Sequence, residues 1–319
     1  MKAIMFREYG PAEVLEVAEV PAPRIAAADE LLIDVHAASV IPGDTKLRAG
    51  VLRHMFEISL PKILGRDGAG VVREVGAGVE GFAPGDRAVF FAMHAEAGCQ
   101  SGQVVRPEES VVRLPDNLSF VEAAALTHSG ICAWLGLHDT LGIGPGQTVL
   151  IQGGAGAIGG VCVQLAAMAG ARVLATCSAR NIDTVRGLGA DAAFAYDGAD
   201  VVAEILAAEG KVDAVYDLVG GKVHGQSCRL LKPGGRLAWL VAEPFEDESA
   251  DHGVRCDRVV VRDDRAVLQA VMDVAAEGRL KPWVAAEIRP DEIAAAHRRI
   301  EAGEVSRGRL VLTFDDTDR

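Results

Sequence analysis

The spacing of apolar and polar positions changes character twice along the 319-residue chain. Up to about residue 120 the apolar positions come in short runs. Residues 14–20, 30–37, 70–75 and 86–91 have the length and β-branching of strands. Turn signals separate them: Pro21-Ala22-Pro23, Pro42-Gly43, Gly76-Ala77-Gly78 and Pro84-Gly85-Asp86. This spacing predicts a β-barrel or sandwich. From Ser119 the period lengthens. Ser119 and Glu122 form a capping box ahead of Ala123, and helical character runs to about residue 141. From Thr148 strands and helices alternate: strand to residue 152, helix 157–169, strand to 177, helix 181–187, strand 192–196, helix 201–208, strand 212–217. A helix over 223–231 ends at Pro233-Gly234-Gly235, strand 236–241 follows, and the apolar run 258–261 reads as an edge strand. Repeated βαβ predicts an α/β, doubly wound parallel sheet. The tail reads as helices 264–277 and 290–302, then strand 309–314, which rejoins the β-rich part. The expected domains are therefore 1–120 with 265–319, and an inserted 121–264.

Residues 148–165 carry the most specific signal. A buried strand is followed by a glycine cluster and then by Ile158, Val161, Leu165 and Met168 at helical spacing. Gly154, Gly156 and Gly159 fit the dinucleotide fingerprint GxGxxG, with Ala155, Ala157 and Ile158 between them. The first glycine permits the tight turn, the second admits a pyrophosphate, and the third lets helix and strand pack closely. The helix start offers free N–H groups and partial positive charge to phosphate. A glycine turn without a ligand is the plainer alternative. The next strand ends Ala175-Thr176-Cys177-Ser178-Ala179-Arg180-Asn181, and no carboxylate follows until Asp183. An NAD site would place Asp or Glu there. Ser178 and Arg180 instead suit a phosphate, so NADPH is the expected cofactor. The alternative is that Arg180 merely begins a surface helix.

Composition narrows the classes. A formal net charge of −13 argues against nucleic acid or an anionic membrane as partner. No 18-residue uncharged apolar run occurs, and Arg7 and Glu8 interrupt any signal-like start. A cytoplasmic protein acting on a small-molecule substrate is expected. The six cysteines form no CxxC pair, so neither disulfides nor a zinc cluster is expected.

With these residues in hand, the chain resembles the medium-chain dehydrogenase/reductase superfamily, and within it the zinc-free quinone oxidoreductases of the zeta-crystallin-like branch. The resemblance covers essentially the whole chain. It rests on Met1-Lys2-Ala3-Ile4, on segments 64–72, 81–87 and 114–125, on 231–236, and on 307–312. It implies a Rossmann domain for the cofactor and a GroES-like, β-rich catalytic domain. It also implies contacts of Tyr196 and Arg307 with the phosphate end of NADPH, of Val219 with the cofactor, and of Thr127 with the nicotinamide side. A homodimer is common in this branch, and the apolar run 258–261 at a sheet edge supplies a physical motive.

Zinc-dependent relatives carry a ligand cysteine shortly before an Asp, then Gly-His-Glu. Here the corresponding segments are Val40-Ile41-Pro42-Gly43-Asp44 and Gly65-Arg66-Asp67, and the lobe that would hold four cysteines offers only Cys99. Arginine cannot ligate zinc. No metal is expected, which disfavours alcohol oxidation and leaves hydride delivery to a quinone or α,β-unsaturated carbonyl. Two departures concern the substrate: Ile41 replaces the usual asparagine, and segment 98–103 differs from the family's pattern. Lys46 stands where some relatives place a tyrosine; it could orient a carbonyl oxygen or be a solvated lysine. Asp44 reads as turn-forming and His128 as packing. His36, His138, His224 and His297 read as packing or surface residues, with His54 and His94 as weaker substrate candidates. An enoyl-thioester reductase and a non-catalytic NADPH-binding sensor or structural protein remain alternatives.

Overall fold

A computed structural model describes residues 1–198, 200–241 and 246–319. The chain divides into two compact units, Met1–His128 with Arg262–Arg319, and Ser129–Val261.

The first unit opens with β1 (Lys2–Phe6), β2 (Leu15–Glu19) and β3 (Glu30–Val40). Helix α1 (Pro42–Arg48) follows where the sequence suggests only a turn. Proline is tolerated at the first helical position, and the Asp44 carboxylate accepts the Ile41 N–H at 2.9 Å, which caps the helix start. Then come β4 (Lys62–Ile63), β5 (Asp67–Val75), β6 (Arg87–Phe91), β7 (Gln103–Pro107) and β8 (Val111–Arg113). Strands β2, β1 and β4 form a small antiparallel sheet.

Helix α2 (Phe120–Trp134) contains the boundary between the units. That boundary lies eight residues past the expected residue 120. The physical reason is that Ala124 and Ala125, with Phe120 and Val121, pack on Ala37 and Val311 of the β-rich unit. The helical stretch Phe120–Leu141 is long and apolar enough to cross a membrane, but 78% of its most apolar window is buried inside the protein, as in a core helix. Its last part, Leu135–Leu141, is π-helical. Just ahead of it the Tyr216 hydroxyl donates to the Cys132 carbonyl at 2.8 Å, and within it a Cβ on Gly136 would stand 2.2 Å from the Tyr216 ring. A side chain bonded into a helical ladder widens it locally.

The second unit holds β9 (Thr148–Gln152), α3 (Ala157–Met168), β10 (Arg172–Cys177), α4 (Ile182–Gly187), β11 (Ala192–Ala195), α5 (Val201–Ala208), β12 (Val212–Asp217), α6 (Lys222–Leu230), β13 (Leu231–Trp239), α7 (Ser249–His252) and β14 (Arg255–Arg258). The six strands run in the order β11-β10-β9-β12-β13-β14, all parallel. This is the doubly wound sheet that the alternation predicts. Leu150, Leu174, Val215 and Leu237 fill one core beneath α5 and α6. Two boundaries differ from expectation. Strand β13 starts at Leu231 because a register shift opposite Val212 and Ala214 absorbs Pro233-Gly234-Gly235. The edge strand is Arg255–Arg258, not residues 258–261: it takes its partners from Arg236–Trp239, and Val259 turns inward while Val260 is exposed.

Helix α8 (Arg265–Ala276) returns the chain to the first unit, capped by Asp264, which accepts from Ala266 N and Val267 N. The second boundary between the units precedes Arg262, three residues before the expected 265. Strand β15 (Val284–Ile288), helix α9 (Ile293–Glu301) and β16 (Arg309–Thr313) complete it. The larger sheet runs β15-β16-β3-β5-β6-β8, with β7 also paired to β3. The last strand thus lies between β15 and β3 in the β-rich unit.

Candidate functional site

In the second unit the expected cofactor residues gather at one edge. Because the strands are parallel, the turns after β9, β10, β11 and β12 all leave the carboxyl end of the sheet, where open α/β sheets bind ligands. The glycine turn after β9 is tight. A Cβ on Gly159 would stand 2.1 Å from the Gly153 carbonyl oxygen, and one on Gly154 would stand 2.7 Å from the Ala175 methyl. A Cβ on Gly156 would meet one atom, the Gly153 carbonyl oxygen at 3.3 Å, a tight contact on that side with space on the others. Gly156 caps α3, a 12-residue helix whose first-turn N–H groups point along the helix axis into that space. A polar chain braces the turn: Thr176 Oγ accepts from Gly153 N (3.1 Å) and donates to Gln152 Oε1 (2.7 Å), and Gln152 Nε2 donates to Ser227 Oγ (3.0 Å). Glycines 154, 156 and 159, with Ala155, Ala157 and Ile158, therefore present backbone amides where a pyrophosphate fits.

Ser178 and Arg180 follow β10. Ser178 is buried and accepts from Asn181 Nδ2 (3.0 Å), while Arg180 is exposed. Tyr196 after β11 and Val219 after β12 are both exposed at the same edge. Arg307 is an exposed residue of the first unit, just ahead of β16. The sequence reading misses one carboxylate. Asp197, from the turn after β11, accepts the Ala179 N–H at 2.9 Å. Scanning only the end of β10 overlooks a group delivered by the neighbouring strand. Asp217 at the end of β12 accepts from Val219 N (2.8 Å) and Gly220 N (2.9 Å) and so shapes the turn that carries Val219.

The first unit holds a second concentration of chemistry, a set of buried charged groups around the start of β5. Asp67 is fully buried. Its carboxylate accepts from the Ser39 hydroxyl and from His128 N at 2.8 Å, and burial raises its pKa against the opposing pull of Ser39, Arg309 and Arg66. Asp44 is equally buried. Burial pushes it up to about 7, although Ile41 N and Gln100 Nε2 (3.1 Å) donate to Oδ2. Arg66 lies over the Phe91 ring, 4.7 Å from its centroid, and its Nε donates to the Ala92 carbonyl at 3.2 Å. His94 packs on Phe56 and burial lowers it to about 3, while burial lowers His128 well below the usual imidazole range. Both imidazoles are therefore held neutral. His54 is exposed.

These residues do not fit a catalytic zinc ion. Ile41 is apolar, Arg66 is a cation without a lone pair to share, and burial pushes the Cys99 thiol up to about 12. Of the two catalytic candidates, Lys46 is half-buried on α1. Thr127 is fully buried in α2, and its hydroxyl donates to the Ala123 carbonyl at 2.9 Å. His224, read as a packing residue, is buried with Nδ1 3.1 Å from Asp217 Oδ2.

Two family models match the chain: an alcohol dehydrogenase GroES-like domain over residues 27–116 and a zinc-binding dehydrogenase over residues 188–312. The chain is 36% identical over 255 residues to a chloroplastic quinone-oxidoreductase homolog of Spinacia oleracea, covering 78% of this chain and 73% of that one. It is 31% identical to the 2-methylene-furan-3-one reductase of Solanum lycopersicum, over 98% of this chain and 79% of the relative. Among solved structures, the quinone oxidoreductase of Escherichia coli complexed with NADPH superposes with a TM-score of 0.89 at 26% identity, over 98% of this chain and all of that one.

Proposed function

The chain belongs to the quinone oxidoreductase branch of the medium-chain dehydrogenase/reductase superfamily, and from that premise we propose a zinc-independent reductase that prefers NADPH and reduces quinones or α,β-unsaturated carbonyls. That it is an NAD(P)H-dependent oxidoreductase follows from its relatives. The observation that carries the proposal is the turn after β9, where Gly159 and Gly154 pack too closely for any side chain and Gly156, the least crowded of the three, caps α3. A bound reduced nicotinamide supplies the hydride. The protein's part is to hold the dinucleotide: the amides of 154–159 receive the pyrophosphate, and Ser178 and Arg180 receive the adenosine end. With no ligand-type side chain at Ile41 or Arg66, an alkoxide has no Lewis acid to stabilise it, whereas a conjugated acceptor spreads its own charge.

The test is kcat/KM for NADPH and NADH against quinones, short enals and enones, and enoyl thioesters, in excess chelator. Wild type is expected to favour NADPH. A charge-assisted contact is worth about 1.5–3 kcal/mol, so Arg180→Ala should reduce the discrimination by roughly one to two powers of ten. Asp197 opposes a phosphate from the other side of the turn, and Asp197→Asn should sharpen the preference by about threefold to tenfold, the effect of one exposed charge. Gly156→Ala should raise KM for both cofactors with only a small change in Tm, because its methyl meets a single atom, the Gly153 carbonyl oxygen at 3.3 Å. Equal use of the two cofactors by wild type, a requirement for zinc bound in the first unit, or turnover of enoyl thioesters alone would each overturn this reading.

We extend the proposal to a homodimer joined at β14, the terminal strand of the parallel sheet, whose outer edge carries no described partner strand. Sedimentation at micromolar concentration should give twice the chain mass, and a monomer there refutes it.

A further inference from the structure

Four ligand-type side chains converge in the second unit, away from the glycine turn. His224 and Cys228 stand four residues apart on α6 and therefore share one helix face. Asp247 precedes α7, and Cys256 lies on β14. The ligand atoms of all four lie within 4.8 Å of one another. We propose that His224, Cys228, Asp247 and Cys256 form a tetrahedral site for a divalent metal ion of the zinc type.

Three features support the site. Two thiolates bound to one zinc at about 2.3 Å in tetrahedral geometry lie roughly 3.8 Å apart. The Cys228 and Cys256 sulfurs are 3.9 Å apart, close to that separation and far beyond a disulfide bond of about 2.05 Å. The donor set of two sulfurs, one imidazole and one carboxylate suits zinc rather than magnesium or calcium. Finally, Asp217 holds His224 from its Nδ1 side at 3.1 Å, the outer-sphere carboxylate that orients metal-binding histidines. His224 and Cys228 are buried, Cys256 is half-buried and Asp247 is exposed, so the ion enters from the Asp247 side.

The site is separate from the hydride chemistry, since none of its ligands lies in the glycine turn or at Ile41 or Arg66. It does touch the cofactor edge indirectly. The Asp217 carboxylate that holds His224 also accepts from Val219 N and Gly220 N. The ion is thus a structural brace for the turn after β12. The four residues are spread over 33 positions and only α6 brings two of them into register, so no spacing along the sequence announces the cluster.

The experiment uses the full chain without an affinity tag, reduced with a phosphine and stripped by dialysis against chelator. Cobalt(II) chloride is titrated in, followed by zinc chloride. We expect one cobalt per chain, with sulfur-to-cobalt charge-transfer absorption and the visible bands of tetrahedral cobalt, displaced by one equivalent of zinc. Zinc should also raise Tm, because an ion that binds only the folded state stabilises it. Cys256→Ser should roughly halve the charge-transfer intensity and weaken cobalt binding at least tenfold. Asp247→Asn, at an exposed position and with an oxygen kept for the Ser249 N–H, should weaken it while keeping the sulfur bands. Asp217→Asn should weaken affinity by about 10- to 100-fold. Absence of sulfur-to-cobalt absorption in wild type would overturn the site. So would an unchanged titration in folded Cys256→Ser.

Discussion

Asp67→Ala is expected to destabilise the β-rich unit by about 3 kcal/mol or more, read from urea unfolding by circular dichroism. The magnitude follows from what Asp67 satisfies. One carboxylate oxygen accepts from the Ser39 hydroxyl on β3 and the other from the backbone N–H of His128 in α2. Both donors are fully or nearly fully buried, and each left without an acceptor costs roughly 1–3 kcal/mol. The guanidinium groups of Arg66 and Arg309 also lose a neighbouring negative charge. An opposing effect exists, because burying a carboxylate is itself costly and its raised pKa reflects that cost. The hydrogen bonds outweigh it, since Asp67 links β3, β5 and α2 at one point. Asp67→Asn keeps one acceptor oxygen and should lose about half as much. A loss below about 1 kcal/mol for Asp67→Ala would show that these donors find other partners.

How much of this was legible in the chain depends on whether the signal is local. The strand–glycine–helix unit of 148–165 is contiguous, so its residues predict the turn and the sheet edge where Ser178, Tyr196 and Val219 emerge. Strands such as β9 and β12 announce themselves by apolar runs. By contrast β4 has two residues, β7 carries Arg106 and Gln103, and α1 begins with Pro42-Gly43, which reads as a turn until Asp44 is seen capping it. The edge strand fell three residues early because pairing with β13, not local hydrophobicity, selects Arg255–Arg258. Long-range polar contacts were the least legible. Asp197 reaching Ala179, Asp67 reaching His128, and the convergence at His224 all join residues from separate elements, and no spacing along one element encodes them.

The stability of Asp44→Asn relative to wild type is expected to change with pH by about 4 kcal/mol between pH 4 and pH 8. Asp44 Oδ2 accepts two hydrogen bonds, but Oδ1 is buried and accepts none from a described residue. A negative charge there lacks solvation on one side, and burial carries the pKa from an ordinary 3.8 to about 7. The sign follows from proton counts. Below pH 3.8 both folded and unfolded chains hold the proton, and the group makes no difference. Between 3.8 and about 7 the unfolded chain releases it while the folded chain keeps it, so stability falls as pH rises. Above about 7 both are ionised and the full loss is in place, about 1.36 kcal/mol for each pH unit of the shift. Asparagine never ionises and retains an acceptor for the Ile41 N–H, so it escapes this loss. Repulsion from Asp67 is part of what raises Asp44 and so belongs to the gap, while titrating groups remote from Asp44 are common to both proteins and cancel. Urea unfolding of the pair at pH 4 and pH 8 should therefore show the gap moving in favour of Asp44→Asn as pH rises. A gap constant to within about 1 kcal/mol would mean that Asp44 ionises in the folded protein as readily as in water, and that the polar set around β5 is solvated.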